Sequence, residues 1–184
     1  MRETLSFGGT VLGGVVMTAL ITMALPALAQ DGKSAAGAKE LAQVLAAKKL
    51  DAIAMRDPNA PDTFIAALAF PSQLIVISAR YPAPPLLNER LARAEYRDVY
   101  IELNSASVLD SRMIVTDLNA DGLRAKKAKR DDPLDSREAG GKAFSFDGNW
   151  REDKMSEADY MKIFADTDEQ YSRMVAALLG QAKK

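Results

Sequence analysis

Residues 51–104 break their apolar side chains into short runs, each cut off by a turn signal (DAIAMRDPNAPDTFIAALAFPSQLIVISARYPAPPLLNERLARAEYRDVYIELN). Runs of this length suit strands, which are usually about 3–10 residues long. Residues 52–55 form the first run. Asp57-Pro58-Asn59-Ala60-Pro61-Asp62 then reads as a turn, because proline fixes φ and Asn and Asp tolerate turn geometry. Residues 63–70 form the second run, with Phe64, Leu68 and Phe70 on one face and Ile65, Ala67 and Ala69 on the other. A strand apolar on both faces belongs in the middle of a sheet or in a barrel wall. Pro71-Ser72 turns the chain into residues 73–81. One face there reads Leu74, Val76, Ser78, Arg80, passing from apolar to polar, as a strand does when it enters a pocket or reaches a rim.

The PAPP sequence at 82–85 forbids a ladder and prepares a helix start. Residues 86–96 carry a helical stripe of Leu87, Leu91 and Ala94, with Glu89 and Arg93 placed to pair at i,i+4. Alternation returns at 99–103, and a polar loop fills 104–110. A fifth strand spans 111–118, with Met113, Val115 and Asp117 opposite Ile114, Thr116 and Leu118. Asn119-Ala120-Asp121-Gly122 is a turn. Residues 123–142 show no periodicity. Their basic run, 124–130, is followed by Asp131, Asp132 and Asp135, and reads as a solvated segment whose opposite charges screen one another. Gly140-Gly141 reads as a hinge, and 143–146 as a sixth strand.

Helices flank this region. Leu41, Val44 and Leu45 give residues 39–50 an amphipathic pattern that predicts a leading helix laid on the sheet. Near the other end, Ser156 to Asp159 and Thr167 to Gln170 both resemble capping boxes, which predicts two helices with a break near Asp166. The stripe Tyr171, Met174, Val175, Leu178, Leu179 buries the last one, and Gly180 is its expected stop. The expected class is α+β, mainly an antiparallel sheet or a split β-barrel with a leading helix, one inserted helix and C-terminal helices.

The first residues follow a different logic. Residues 5–29 are uncharged, Pro26 breaks their apolar run, and Ala27-Leu28-Ala29 supplies a small-x-small cleavage pattern. Residues 1–29 therefore read as a secretory signal peptide, 30–38 as a flexible spacer, and 39–184 as one globular domain in a periplasmic or secreted protein. No stable membrane span is expected after cleavage.

Composition excludes several chemistries. The chain has no Cys and no His, so disulfides, thiolate nucleophiles, Cys/His zinc sites, imidazole bases and Ser-His-Asp triads are ruled out. With 24 Lys+Arg against 25 Asp+Glu, it lacks the basic excess of a nucleic-acid binder. Carboxylate, Lys or Tyr chemistry, an oxygen-ligated metal, or an organic cofactor remain.

Residue types single out three groups. Ser78, Arg80 and Tyr81 lie where the third strand runs out, and suit a phosphate or carboxylate: the guanidinium is a fork of donors and the Tyr ring a stacking surface. The competing reading pairs Arg80 with Glu102 across the sheet. Arg97, Asp98, Tyr100, Glu102 and Asn104 make a polar strand face, expected to be solvent-exposed. In the group Asp147, Asn149, Trp150, Glu152 and Asp153, the acids and the Asn offer oxygen ligands without calcium-loop spacing, and Trp150, the only Trp, reads as a loop anchor.

The order helix, three strands, helix, two strands over 39–118 resembles the split-barrel family of pyridoxamine-phosphate-oxidase-like flavin proteins. Its internal-helix pattern of Ser/Thr, Lys and Leu is set against residues 78–91, SARYPAPPLLNERL. The resemblance implies FMN as cofactor, held by Ser78, Arg80, Tyr81 and Arg90, and a homodimer with the ligand at its interface. The family's phosphate-binding Lys falls at Leu87 or Asn88 here, so Arg80 and Arg90 would substitute for it. Three functions stay open: a non-catalytic extracytoplasmic binding or accessory domain for a small-molecule ligand, an FMN-dependent oxidoreductase, and a carboxylate hydrolase.

Overall fold

The computed structural model describes residues 32–80, 112–125, 134–151 and 153–184. It contains helix α1 (Ala35–Ala47), strands β1 (Ala52–Asp57), β2 (Ala60–Phe70), β3 (Gln73–Arg80), β4 (Arg112–Leu118), β5 (Ser136–Ala139) and β6 (Lys142–Ser145), and helix α2 (Glu157–Ala182). The expected signal segment at 1–29, the PAPP loop, the inserted helix at 86–96 and the strand at 99–103 lie outside the described residues.

The strands form one antiparallel sheet whose spatial order, β1-β2-β3-β4-β5-β6, repeats their order in the chain. The class is α+β, as expected, and the described sheet is an open meander with β1 and β6 at its edges rather than a closed barrel. Tight turns make the β1–β2, β2–β3 and β5–β6 connections. Asp57 accepts a hydrogen bond from the Asn59 amide at 2.8 Å, an Asx turn that reverses β1 into β2. Gly140 and Gly141, with φ +57° and +70°, give the left-handed pair that a two-residue hairpin requires between β5 and β6. The expected hinge is thus a tight turn, and residues 136–139 are a strand that the pattern did not reveal.

α1 and α2 both pack on one face of the sheet. Leu41, Leu45, Ile53, Ile65, Ala67, Leu74, Val76 and Val115 meet Tyr160, Phe164, Tyr171, Val175 and Leu178 there. The helix side of this core recurs at 160, 164, 167, 168, 171, 174, 175, 178 and 182, the spacing of one helical face. The opposite sheet face holds a second buried cluster of Ala54, Phe64, Ala66, Leu68, Ile77 and Ala79. β2 therefore contributes to both clusters, in line with its two apolar faces.

The C-terminal region corrects an expectation: α2 is one helix of 26 residues, with no break at Asp166. Ser156 is its N-cap, accepting from the Asp159 amide at 3.1 Å. Thr167 cannot act as a second cap, because its hydroxyl donates back to the Ile163 carbonyl at 2.7 Å. Gly180 does not stop the helix, which continues to Ala182. Among the described residues no helix is long and apolar enough to cross a membrane.

The two helices meet in register along the same direction. Ser34 bonds Asp168, Gly37 lies beside Val175, and Lys183 pairs with Glu40 at 2.7 Å. The start of α1 is capped from outside. Asp168 of α2 accepts from the Lys33 amide at 2.6 Å, the Ser34 amide at 3.3 Å and the Ser34 hydroxyl at 2.6 Å. A carboxylate there satisfies amides that a helix start leaves open and sits favourably at the positive end of its dipole.

Candidate functional site

The polar end of β3 opens into a cavity of about 500 Å³ lined by Thr63, Ser78, Arg80, Arg112, Met113, Arg137, Ala139 and Gln170. Pairing explains the assembly. Thr63 faces Arg80, Ser78 faces Met113, and Met113 faces Ala139, so these side chains share the sheet face that carries the helices. Val115 faces Arg137, which puts Arg137 on that face too. Gln170 comes from α2 above. Four strands and one helix thus contribute, and the cavity continues the face on which Leu74 and Val76 are core residues.

The site is rich in donors. Three of its side chains are guanidinium groups, and none of the described lining residues is acidic. Two of the arginines have carboxylates beside them. Arg80 lies 3.3 Å from Asp62, with both side chains mostly exposed, and Arg112 lies 3.4 Å from Glu138. Asp62 also accepts from the Thr63 hydroxyl at 3.3 Å. Arg137 differs in having no carboxylate beside it among the described residues, and its Nε, buried like that of Arg112, has no hydrogen-bond partner there. A buried donor of a charged group without an acceptor is costly, so this orientation marks a position where an acceptor belongs.

A second polar constellation lies at the other end of β4, between it and α2. Asp117 accepts from the Asp121 amide at 3.1 Å, the Gly122 amide at 3.0 Å and the Tyr171 hydroxyl at 2.7 Å. Asp135 accepts from the Leu118 amide at 3.0 Å and the Arg124 amide at 2.9 Å. Burial raises both acids above the usual carboxylate range. Asp117 is pulled back by the Tyr171 hydroxyl and the two amides. Asp135 is pushed up to about 7, by burial first and by the charge of Asp117 second. Burial likewise raises the Tyr171 phenol, helped by Asp117. These groups hold a loop: each acid grips the backbone of residues 118–124. Tyr160 does similar work at the other side, donating to the Ala125 carbonyl and accepting from the Gly148 amide at 2.8 Å, and its phenol is pushed up to about 12 by burial.

The residues singled out from the sequence fall in three places. Ser78 and Arg80 are on the cavity wall. Tyr81, Arg90, Glu102 and the whole of the 97–104 face lie outside the described residues. Of the third group, Glu152 lies outside the described residues, and Asp147 accepts from the Asn149 amide and side chain at 2.7 and 3.0 Å. Trp150 packs partly buried against the helix-side core, with the Arg151 guanidinium 4.8 Å from its ring centroid. Among the described residues no group of three or more acidic side chains is arranged to hold a metal ion. Sequence reasoning missed Thr63, Arg112, Arg137 and Gln170. It also passed over Asp117 and Asp168, although each sits at an inward position of an otherwise apolar pattern. No protein-family model, curated protein or solved structure matches the chain.

Proposed function

We propose that this chain is an exported, non-catalytic binding domain whose ligand site is the cavity at the polar end of β2, β3, β4 and β5. The observation that supports it is the lining itself: hydroxyl, amide and guanidinium donors converge from separate elements on a space of about 500 Å³. That volume falls in the range of small-molecule sites, roughly 300–1,000 Å³, which combine an apolar wall with a few placed polar groups. Without His or Cys, no imidazole base or thiolate is present to activate a bound molecule. The supports are rigid strands and a long helix, which suits recognition more than movement. Export rests on the signal-peptide pattern of residues 1–29.

The flavin reading uses the same wall, since Ser78, Arg80 and Arg137 would suit a phosphate. The described lining residues include no aromatic ring on which an isoalloxazine could stack. One preparation separates the readings. The chain is expressed with its leader, recovered from the extracytoplasmic fraction, sequenced from its N-terminus and scanned in the visible. A colourless protein beginning at Gln30, with a melting temperature raised by members of a mixed small-molecule panel, is the expected result. A yellow protein with flavin absorbance would replace the binding-domain reading by the oxidoreductase one, and retention of Met1 would remove the cleavage claim.

A further inference from the structure

We infer that the cavity takes an organic oxyanion, a small molecule bearing a carboxylate or phosphate group on a carbon skeleton, with Arg137 as its anchor. The inference rests on the cavity being the ligand site and adds the class of ligand. Charge is the first support. The chain as a whole carries net charge −1, yet the described lining holds three arginines and no acid. Asp62 and Glu138 sit beside Arg80 and Arg112 from outside the lining. No carboxylate among the described residues plays that part for Arg137.

Geometry is the second support. The Nε edge of a guanidinium, together with one Nη, forms the two-pronged donor that matches the two oxygens of a carboxylate or phosphate. In Arg137 the Nε is buried and lacks a partner among the described residues. Thr63, Ser78 and Gln170 offer neutral hydrogen-bonding groups in the same lining. Size is the third. A cavity of about 500 Å³ is far larger than one anionic group needs, and Met113 and Ala139 give it an apolar part. The ligand therefore has a carbon body as well as a charged head.

The test uses the mature chain and named probes: succinate and citrate as carboxylates, glycerol phosphate and phenyl phosphate as phosphate esters, and choline and glucose as cationic and neutral controls. Affinities are measured by calorimetry at low salt and at high salt. An acid is expected to bind, more weakly as salt rises, and Arg137→Gln is expected to weaken it about 10- to 100-fold, the loss of a charge-assisted pair. Arg137→Lys, which keeps the charge without the fork, recovers part of this loss. Ser78→Ala, a milder change in the same wall, should reduce affinity several-fold and guards against a misfolded Arg137 variant. The carboxylate and phosphate arms identify which head is taken. Binding by choline or glucose alone, blocked by Ala139→Trp, would overturn the oxyanion assignment and leave the binding domain standing. Oxyanion binding that is unchanged in both Arg137→Gln and Ser78→Ala would also overturn it. Failure of every probe would overturn the oxyanion assignment, and the melting-temperature panel then decides the binding-domain reading separately.

Discussion

The hydroxyl of Tyr171, midway along α2, donates to Oδ2 of Asp117 at the end of β4 over 2.7 Å, and both residues have 0% exposure. The same carboxylate oxygen accepts from the Gly122 amide at 3.0 Å. A buried acid here has no cation bonded to it among the described residues and is satisfied by neutral donors. Removing one should therefore be felt. Tyr171→Phe is expected to destabilise the fold by about 1–3 kcal/mol, the cost of an under-satisfied buried group. It should also raise the Asp117 carboxyl further, because Tyr171 is the strongest of the donors holding it down. Urea unfolding at neutral pH reads the first effect, and an unchanged midpoint would count against the bond as a stabilising contact.

Asp135 makes stability depend on pH in an unusual direction. Its folded pKa is about 7, raised above the ordinary value of 3.8. Between those values the folded protein holds a proton that the unfolded chain has released. Stability is then highest below the lower value and is lost as pH rises through the upper one, with a slope of at most about 1.4 kcal/mol per pH unit. Asp135→Asn removes the titration. It should also cost about 1–3 kcal/mol at low pH, since its NH₂ cannot accept from the Leu118 or Arg124 amide as the second carboxyl oxygen does. The difference in unfolding free energy between wild type and Asp135→Asn should narrow from pH 5 to pH 8. A gap that widens over that range would contradict the raised acid.

Two glycines with similar backbone angles should respond differently to alanine. Gly122 has φ +89°, and a Cβ there would lie 2.3 Å from Cα and 2.5 Å from the amide nitrogen of Ala35. Backbone cannot step aside as a flexible side chain can, so Gly122→Ala should cost at least about 3 kcal/mol through strain and displacement of α1. Gly140 has φ +57° with nothing within 4 Å of the added carbon. Gly140→Ala should cost only the left-handed penalty, about 1–2 kcal/mol. Thermal unfolding of the pair checks this, and equal losses would remove the role assigned to the close approach at Ala35.

Asp168→Ala tests whether α2 caps α1. The aspartate takes three hydrogen bonds from Lys33 and Ser34, while Ser34 makes no side-chain cap bond within its own helix. Without it the amides at the start of α1 lose their acceptor, and so does the Ser34 hydroxyl. Hydrogen exchange should then speed up at residues 33–38 and at Leu123, whose amide donates to the Ser34 hydroxyl at 3.1 Å. Protection equal to wild type at those positions would show that the cap contributes nothing.

How much of this was legible depended on whether local sequence decided the structure. β1, β2 and β3 were readable because each alternating run ended at a turn with its own chemistry, Asp57-Pro58-Asn59 and Pro71-Ser72. β5 was not. Ser136-Arg137-Glu138-Ala139 has no apolar face, and it is a strand because β4 and β6 pair with it on both sides. The single long α2 was misread for a related reason. Thr167 and Gln170 have the spacing of a cap, but the core residues Phe164, Thr167, Asp168 and Tyr171 continue one face through the supposed break. The cavity followed the same division. Ser78 and Arg80 showed themselves through the change from apolar to polar along β3. Arg137 was invisible, since its place beside them exists only once β5 has joined the sheet.

The tie between Ser34 and Asp168, 134 residues apart, also sets an order of events during synthesis. The β1–β2, β2–β3 and β5–β6 hairpins join neighbours through tight turns and can close soon after they emerge, because short loops cost little entropy. The buried side of α1, with Ala38, Leu41 and Leu45, must wait for the last segment to be made. A nascent chain that has not reached Glu157 therefore lacks the helix that covers the helix-side face of its sheet. It depends on whatever holds unfinished chains in solution until α2 arrives.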